Sequence, residues 1–343
     1  MWQVDNHTPF TTLGYFVRDK NGAEHWCIAV RACFDIRSDG LLAVSEKQEP
    51  VRLAPVYTDE TSSELSAESD FAPFRPHADI LLAGKATALG GRHFDSQPIR
   101  VSVGKLSKTA IAIRPRQIVK RKGVWEISEQ CPVDAVPLLW KNSLGGIDNF
   151  VPDGSTNVCE ENPVGKGWSL HLHKAKDGAT VDLPQIENPN TRVHPRQRMP
   201  APVGFGPLQP SWPHRLRWAG TYDDTWRNQR APLLPLDFKE TFHQAAPPDQ
   251  IYPDTLRGGE PVSVDGLHPD GPYTFRLPQA ILEAKTTIGT RRITHRFRIV
   301  SVTIDATAKK LDMTWNANTP CPGVDHLVDG SLVMVRQIAG VAR

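Results

Sequence analysis

The sequence predicts a mainly β protein, with antiparallel sheets in a sandwich-like arrangement, a long irregular middle and few short helices. Three observations carry this reading. Thirty prolines and 25 glycines among 343 residues argue against a helical bundle, because proline lacks an amide proton and its ring clashes inside a helix. Alternating apolar and polar runs mark both ends of the chain. Between them, 19 of the 30 prolines fall within residues 150–278, where no period is visible. Nine tryptophans, twelve phenylalanines and a hydrophobic share of 39% supply enough apolar surface to offset the entropy of ordering, so the proline excess points to packed loops rather than disorder.

The N-terminal β segment spans residues 1–130. Asp19-Lys20-Asn21-Gly22 is a hairpin signal, since Asn and Gly both tolerate positive φ. From His25 to Ile36 the residues Trp26, Ile28, Val30, Ala32, Phe34 and Ile36 share one parity, as in a long half-buried strand. Further strands are expected at 80–88, 99–106 and 109–113, and as a pair at 117–119 and 124–127 around Lys122-Gly123. The acidic stretch Thr58 to Phe71 reads as a loop. Residues 131–272 form the Pro/Trp-rich segment, in which Trp168, Trp212, Trp218 and Trp226 alternate with prolines, as in an irregular packed layer. One short helix is expected there, with Asp237 as cap, Glu240 completing a capping box, and Pro247 as the stop.

The C-terminal β segment spans residues 273–343, and the pattern is compatible both with one compact domain shared with the first segment and with a separate unit. Strands are expected at 273–277, 280–287, 292–307, 311–316 and 332–338. In the run from Arg292 to Thr307 the apolar parity switches between Phe297 and Val300, which predicts a β-bulge or a strand that crosses between two sheets.

Forty basic and 38 acidic residues leave a net charge of +2, which implies no nucleic-acid partner. The first residues lack the charged start and apolar core of a signal peptide, and no 18-residue apolar run occurs, so a cytoplasmic chain without membrane insertion is expected. The five cysteines contain no CxxC pair, and Cys27 and Cys33 read as packed thiols.

Candidate chemistry is sparse. His171-Leu172-His173 puts two imidazoles on one face of a strand, but no third ligand follows at a metal-site spacing, so no metal is expected. No nucleophile elbow and no phosphate loop occur, and the sequence implies neither catalytic residues nor a cofactor. Asp223, Asp224, Asp237 and Asp249 lie near Trp218, Tyr222 and Trp226, which leaves a carbohydrate-active hydrolase with paired carboxylates as an alternative. Trp212, Trp218, Tyr222, Asp223, Trp226 and Arg230 are the candidate partner-binding residues, since interfaces enrich such aromatic and arginine anchors.

Several separate stretches carry a resemblance. They are HTPF at His7, RPHADILLAGKA at Arg75, NPVGKGW at Asn162, LPQIENP at Leu183, PAPVGFGP at Pro200, GTYD at Gly220 with Trp226 and Arg230, LPLDF at Leu234, AAPPDQ at Ala245 and GGEPV at Gly258. Together they resemble an uncharacterised-domain family encoded beside type VI secretion spike and effector genes in proteobacteria. The resemblance implies a non-enzymatic adaptor or chaperone that binds a secreted effector protein, or its PAAR/VgrG carrier, and promotes loading onto the spike. It brings no catalytic residues. A structural component of the spike itself is a further alternative.

Overall fold

The computed structural model describes residues 3–58, 64–129, 131–195 and 197–342. Strands dominate, and the two α-helices, α1 (Pro213–Leu216) and α2 (Asp224–Gln229), are short. The largest sheet runs in the order β2 (Thr11–Arg18), β3 (Glu24–Ile36), Lys310–Pro320, Arg298–Asp305 and Asp79–Ala83, with Leu42–Val44 beside β3. All its pairings are antiparallel except that of Asp79–Ala83 with Arg298–Asp305. A four-stranded sheet contains β1 (Gln3–His7), Val328–Ala339, Gln279–Ile288 and Arg291–Arg296. A five-stranded sheet contains Ile186–Glu187, Leu106–Ile113, Ser96–Val103, Pro261–Asp265 and Tyr273–Arg276. One apolar core is shared by the three sheets. In the largest sheet two C-terminal strands lie between β3 and Asp79–Ala83, so the two ends of the sequence fold together.

The parity switch in the last β segment is a change of sheet. Arg291–Arg296 is the edge of the four-stranded sheet and Arg298–Asp305 lies inside the six-stranded one, with a register shift between Ile299 and Ser301. Trp26 ties these sheets together: its Nε1 donates to Ser331 Oγ at 2.8 Å, and Ser331 Oγ lies 2.8 Å from Thr286 Oγ1, all within the core. The indole thereby buries its apolar body without leaving its one donor unpaired.

Three local expectations need correction. β3 is buried on both faces rather than one: Cys27, Ala29, Arg31 and Cys33 are as enclosed as Trp26 and Phe34. The segment after Leu42–Val44 covers its second face, with Gln48 bridging the Cys33 backbone and Arg31 donating to the Pro50 carbonyl. The hairpin expected at Asp19–Gly22 does form, joining β2 to antiparallel β3; Gly22 takes a positive φ there, +84°, and Asp19 accepts from the amides of Asn21 and Ala23. In the Thr58 to Phe71 loop, residues 59–63 lie outside the described residues, while Leu65–Ala67 pairs with Val56–Tyr57. Glu64 and Asp70 are buried there, Glu64 capping the amides of Trp140 and Lys141 and Asp70 taking Arg52 N and Thr314 Oγ1. The expected helix after Asp237 is a single 3-10 turn, Glu240–His243, because the Asp237 carboxylate is engaged by Thr221 N and Oγ1 instead of capping.

The proline-rich middle is ordered against the sheets and has two small cores of its own. Ile118, Leu144, Leu172, Leu183 and Val193 form one; Trp140, Leu208 and Trp212 form the other. Cys27, Cys33, Cys159 and Cys321 are buried cysteines, and Cys131 is exposed. Among the described residues no helix is long and apolar enough to cross a membrane.

Candidate partner-binding site

Three of the sequence stretches singled out above meet at the edge strand Asp79–Ala83. RPHAD supplies the buried Arg75–Asp79 pair at 3.4 Å, with Arg75 also donating to the carbonyls of His243 and Val300. Asp79 in turn accepts from Gln244 Nε2 at 2.6 Å and from Ala245 N at 2.8 Å, which fixes the start of AAPPDQ. Gln250, at the end of that stretch, donates to the carbonyls of Ile80 (2.7 Å) and Phe205 (3.1 Å), and Leu82 N donates to Phe205 O. PAPVGFGP and AAPPDQ are thus latched side by side onto the open edge of the largest sheet, and the backbone groups an edge would leave unpaired are used.

Lys108 holds the junction from beneath. It lies on Leu106–Ile113 with an inward parity, between Leu106 and Ala110, all three buried. Its Nζ donates to Gly204 O (2.5 Å), Asp249 Oδ1 (2.8 Å) and Gln250 Oε1 (2.8 Å) and sits 5.0 Å from the Phe205 ring centroid. Three acceptors match the three protons of an ammonium group. Burial pulls its pKa below the ordinary lysine value, and Asp249 opposes that shift by charge and hydrogen bonding. The ammonium thus clamps the three acceptors together.

Above the clamp is a hollow of about 260 Å³. Trp140, Leu208 and Pro247 are its buried apolar floor, and Ala201, Pro248, Glu161 and Asp249 are exposed at its mouth. Trp140 donates Nε1 to Gly206 O at 3.1 Å and meets Trp212 edge-on with ring centroids 5.6 Å apart. Its seat requires glycine at 204, where a Cβ would come within 2.5 Å of the indole. Asn162, from NPVGKGW, locks the other side by donating to the carbonyls of Trp140 and Leu144, both at 2.9 Å. His214, from α1, completes the wall; burial and the neighbouring Arg217 lower its pKa, so it is neutral at pH 7. Two larger hollows, about 720 and 670 Å³, are polar surface grooves beside the turn at Arg37–Leu41 and between Asp5 and Arg292. Neither holds a residue of the stretches that meet here.

Residues 21–316 match the family described as "Uncharacterized protein conserved in bacteria (DUF2169)". The chain belongs to this bacterial family. No curated protein and no solved structure matches it. The resemblance read from the sequence therefore holds at the level of an uncharacterised bacterial family.

In this family member the six candidate residues divide into two places. Trp212 is buried against Trp140, under the hollow. The other five build a surface cap on the 216–239 stretch. Asp223 caps α2 by accepting from Trp226 N at 2.7 Å. Trp226 donates Nε1 to Leu233 O and stands edge-on to Tyr222, 4.7 Å between centroids. Arg230 donates to the carbonyls of Leu234 and Lys20, which fastens the cap to the β2–β3 turn. Trp218 is half-buried between two cations, Arg217 and Lys239.

The carboxylates weighed for hydrolysis each have a structural partner: Thr221 for Asp237, the α2 amide for Asp223, Arg227 for Asp224 and Lys108 for Asp249. His171 and His173 do not lie on a strand; they flank Leu172 in a 3-10 turn. His171 Nδ1 meets Asp148 Oδ2 at 2.7 Å. Burial works to raise the Asp148 pKa, but hydrogen bonds from Ser169, His171, Phe150 and Leu170 outweigh it and hold the carboxyl below its usual range. Among the described residues no group of three or more His, Cys, Asp or Glu is arranged to hold a metal ion.

The sequence reading passed over Lys108 and Trp140. Lys108 carried a signal nonetheless, an ionisable residue at an inward parity of an otherwise apolar strand face, which demands buried acceptors elsewhere in the chain.

Proposed function

We propose that this chain is a non-enzymatic adaptor that binds a secreted effector protein, or its PAAR/VgrG carrier, in the cytoplasm and promotes its stability and loading onto a type VI secretion spike. The observation that carries the proposal is the hollow over Lys108, which PAPVGFGP and AAPPDQ line and whose Trp140 floor Asn162 of NPVGKGW holds from behind. At about 260 Å³ it is smaller than the ~300–1,000 Å³ of most small-molecule sites. An aromatic and proline-lined floor with a polar mouth suits one protruding apolar side chain of a partner protein, the form that interface anchors take. The buried ammonium that lines it, Lys108, has all its protons engaged by acceptors of the protein, which favours recognition over chemistry. The motif resemblance supplies the class of partner.

Deleting the gene tests the reading. The abundance and secretion of the effector encoded nearby should fall and return on complementation, while spike secretion persists. An effector that stays abundant and secreted in the deletion strain overturns it.

A further inference from the structure

We propose that the open edge of the four-stranded sheet, Arg291–Arg296, binds an acidic extended segment of a partner protein by strand addition. No residue that lines the hollow lies on this sheet, so the proposal stands without the adaptor reading. Arg291–Arg296 pairs with Gln279–Ile288 on one side and, among the described residues, with no strand on the other. Gly289 and Thr290 form the two-residue turn between them, and Gly289 supplies its positive φ, +57°. Such a turn is closed by a hydrogen-bonded pair, here Ile288 with Arg291, and bonded and unbonded pairs then alternate along the ladder. Thr287–Arg292, Lys285–Thr294 and Glu283–Arg296 are the unbonded pairs. The amides and carbonyls of Arg292, Thr294 and Arg296 therefore point out from the edge, where another strand can take them.

The side chains select the occupant. Arg292, Thr294 and Arg296 share one parity and are exposed, whereas Ile293 packs against the core and His295 Nδ1 lies 2.9 Å from Thr319 Oγ1. Register sets Lys285 beside Thr294 on the outer face. The two strands carry four lysine and arginine residues, Lys285, Arg291, Arg292 and Arg296, against one carboxylate, Glu283. Glu283 accepts from Arg336 at 2.6 Å, and the charges of Lys285 and Arg296 add to that bond in holding its carboxyl below the usual range. Asp329 and Asp5 stand two and three strands from the edge, about 10 and 14 Å away by strand spacing, and Asp5 is paired with His7 at 3.1 Å. A second copy is a poor occupant, because antiparallel pairing about Thr294 would set Arg292 of one copy against Arg296 of the other, and like charges directly opposed destabilise a sheet. An acidic strand reverses that sign. Carboxylates at alternate positions would meet Arg292 and Arg296, and apolar residues between them would extend the inward face begun by Ile293.

The test titrates a short capped peptide of alternating glutamate and valine into the full chain, followed by fluorescence anisotropy, with hydrogen exchange of residues 291–296 read in parallel. The wild type should bind the peptide and its edge amides should exchange more slowly. The same peptide with lysine in place of glutamate should bind about tenfold more weakly or not at all. Thr294→Pro removes one outward amide and no bond to Gln279–Ile288, a change that an edge strand tolerates, and should abolish binding with melting unchanged. Arg292→Glu/Arg296→Glu leaves the backbone as it is and should weaken binding about tenfold. No binding by the wild type, equal binding of the two peptides, or equal binding by the wild type and the charge reversal would overturn the proposal. Binding that survives Thr294→Pro without slowing exchange at 291–296 would place the peptide elsewhere and overturn it as well.

Discussion

Acidification should destabilise the fold through His243, a residue that ties the central layer to the largest sheet. Its ring is packed among Phe238 and Phe242, with centroids 5.7 and 6.0 Å away. Burial is the main cause that lowers its pKa from 6.5 to about 4, and the guanidinium groups of Arg75 and Arg215 add to it. The native state therefore holds this ring neutral where an unfolded chain takes up a proton. As the pH drops from 6.5 towards 4 the unfolded state binds more protons than the native one, and stability falls throughout that window. Below about 4 both states are protonated and the loss is complete. At 1.36 kcal/mol per pH unit, the whole window is worth about 3 kcal/mol, a large share of the ~5–15 kcal/mol that holds a typical domain together. Urea unfolding followed by tryptophan fluorescence at pH 7 and 4.5, on the wild type and on His243→Gln, isolates this contribution from that of the other histidines. The wild type should lose about 2–3 kcal/mol more than the variant between the two pH values. Parallel losses in both proteins would refute the reasoning.

Other outcomes follow from the clamp and its surroundings. Lys108→Ala strands the Gly204 carbonyl and the Gln250 amide oxygen in a buried place, and should cost about 2–5 kcal/mol in urea unfolding; a midpoint equal to the wild type would show that the lysine holds nothing. Asp79→Ala leaves Arg75, Gln244 and the Ala245 amide without their shared acceptor, so a loss of about 3–5 kcal/mol is expected by the same measurement. Gly204→Ala drives a methyl group into the Trp140 indole and should cost about 1–3 kcal/mol, with a weakened near-ultraviolet circular dichroism signal. An unchanged spectrum would mean that Trp140 is not seated as described.

Much of the fold was legible because period survives where strands are long. The alternation from Trp26 to Ile36 and the parity switch after Phe297 each follow from the two-residue repeat of a pleated strand, and both lie in sheets with the apolar set inward. What covers a second face was not legible, and β3 is the example: nothing between His25 and Ile36 announces that Gln48 and Pro50 will enclose Cys33 and Arg31. The helix expected after Asp237 failed for a related reason. Its cap was claimed by Thr221, sixteen residues earlier, a competition that local pattern does not contain. The candidate site was half legible. Motif stretches named segments that line or support the hollow, and the aromatic residues drew attention to the exposed cap. The hollow itself depends on Lys108 and Trp140, which reach it from distant parts of the chain through backbone carbonyls that carry no sequence signature.

The most direct measurement is calorimetric titration of the proposed partner, a secreted effector or its PAAR carrier, into the wild type and into Ala201→Trp. Ala201 is exposed at the mouth of the hollow, so the larger side chain blocks entry without disturbing the clamp below. Saturable binding by the wild type, lost or weakened at least tenfold in an Ala201→Trp protein of unchanged stability, is the result expected of an anchor-binding adaptor. No binding by the wild type, or equal binding by both, would contradict it.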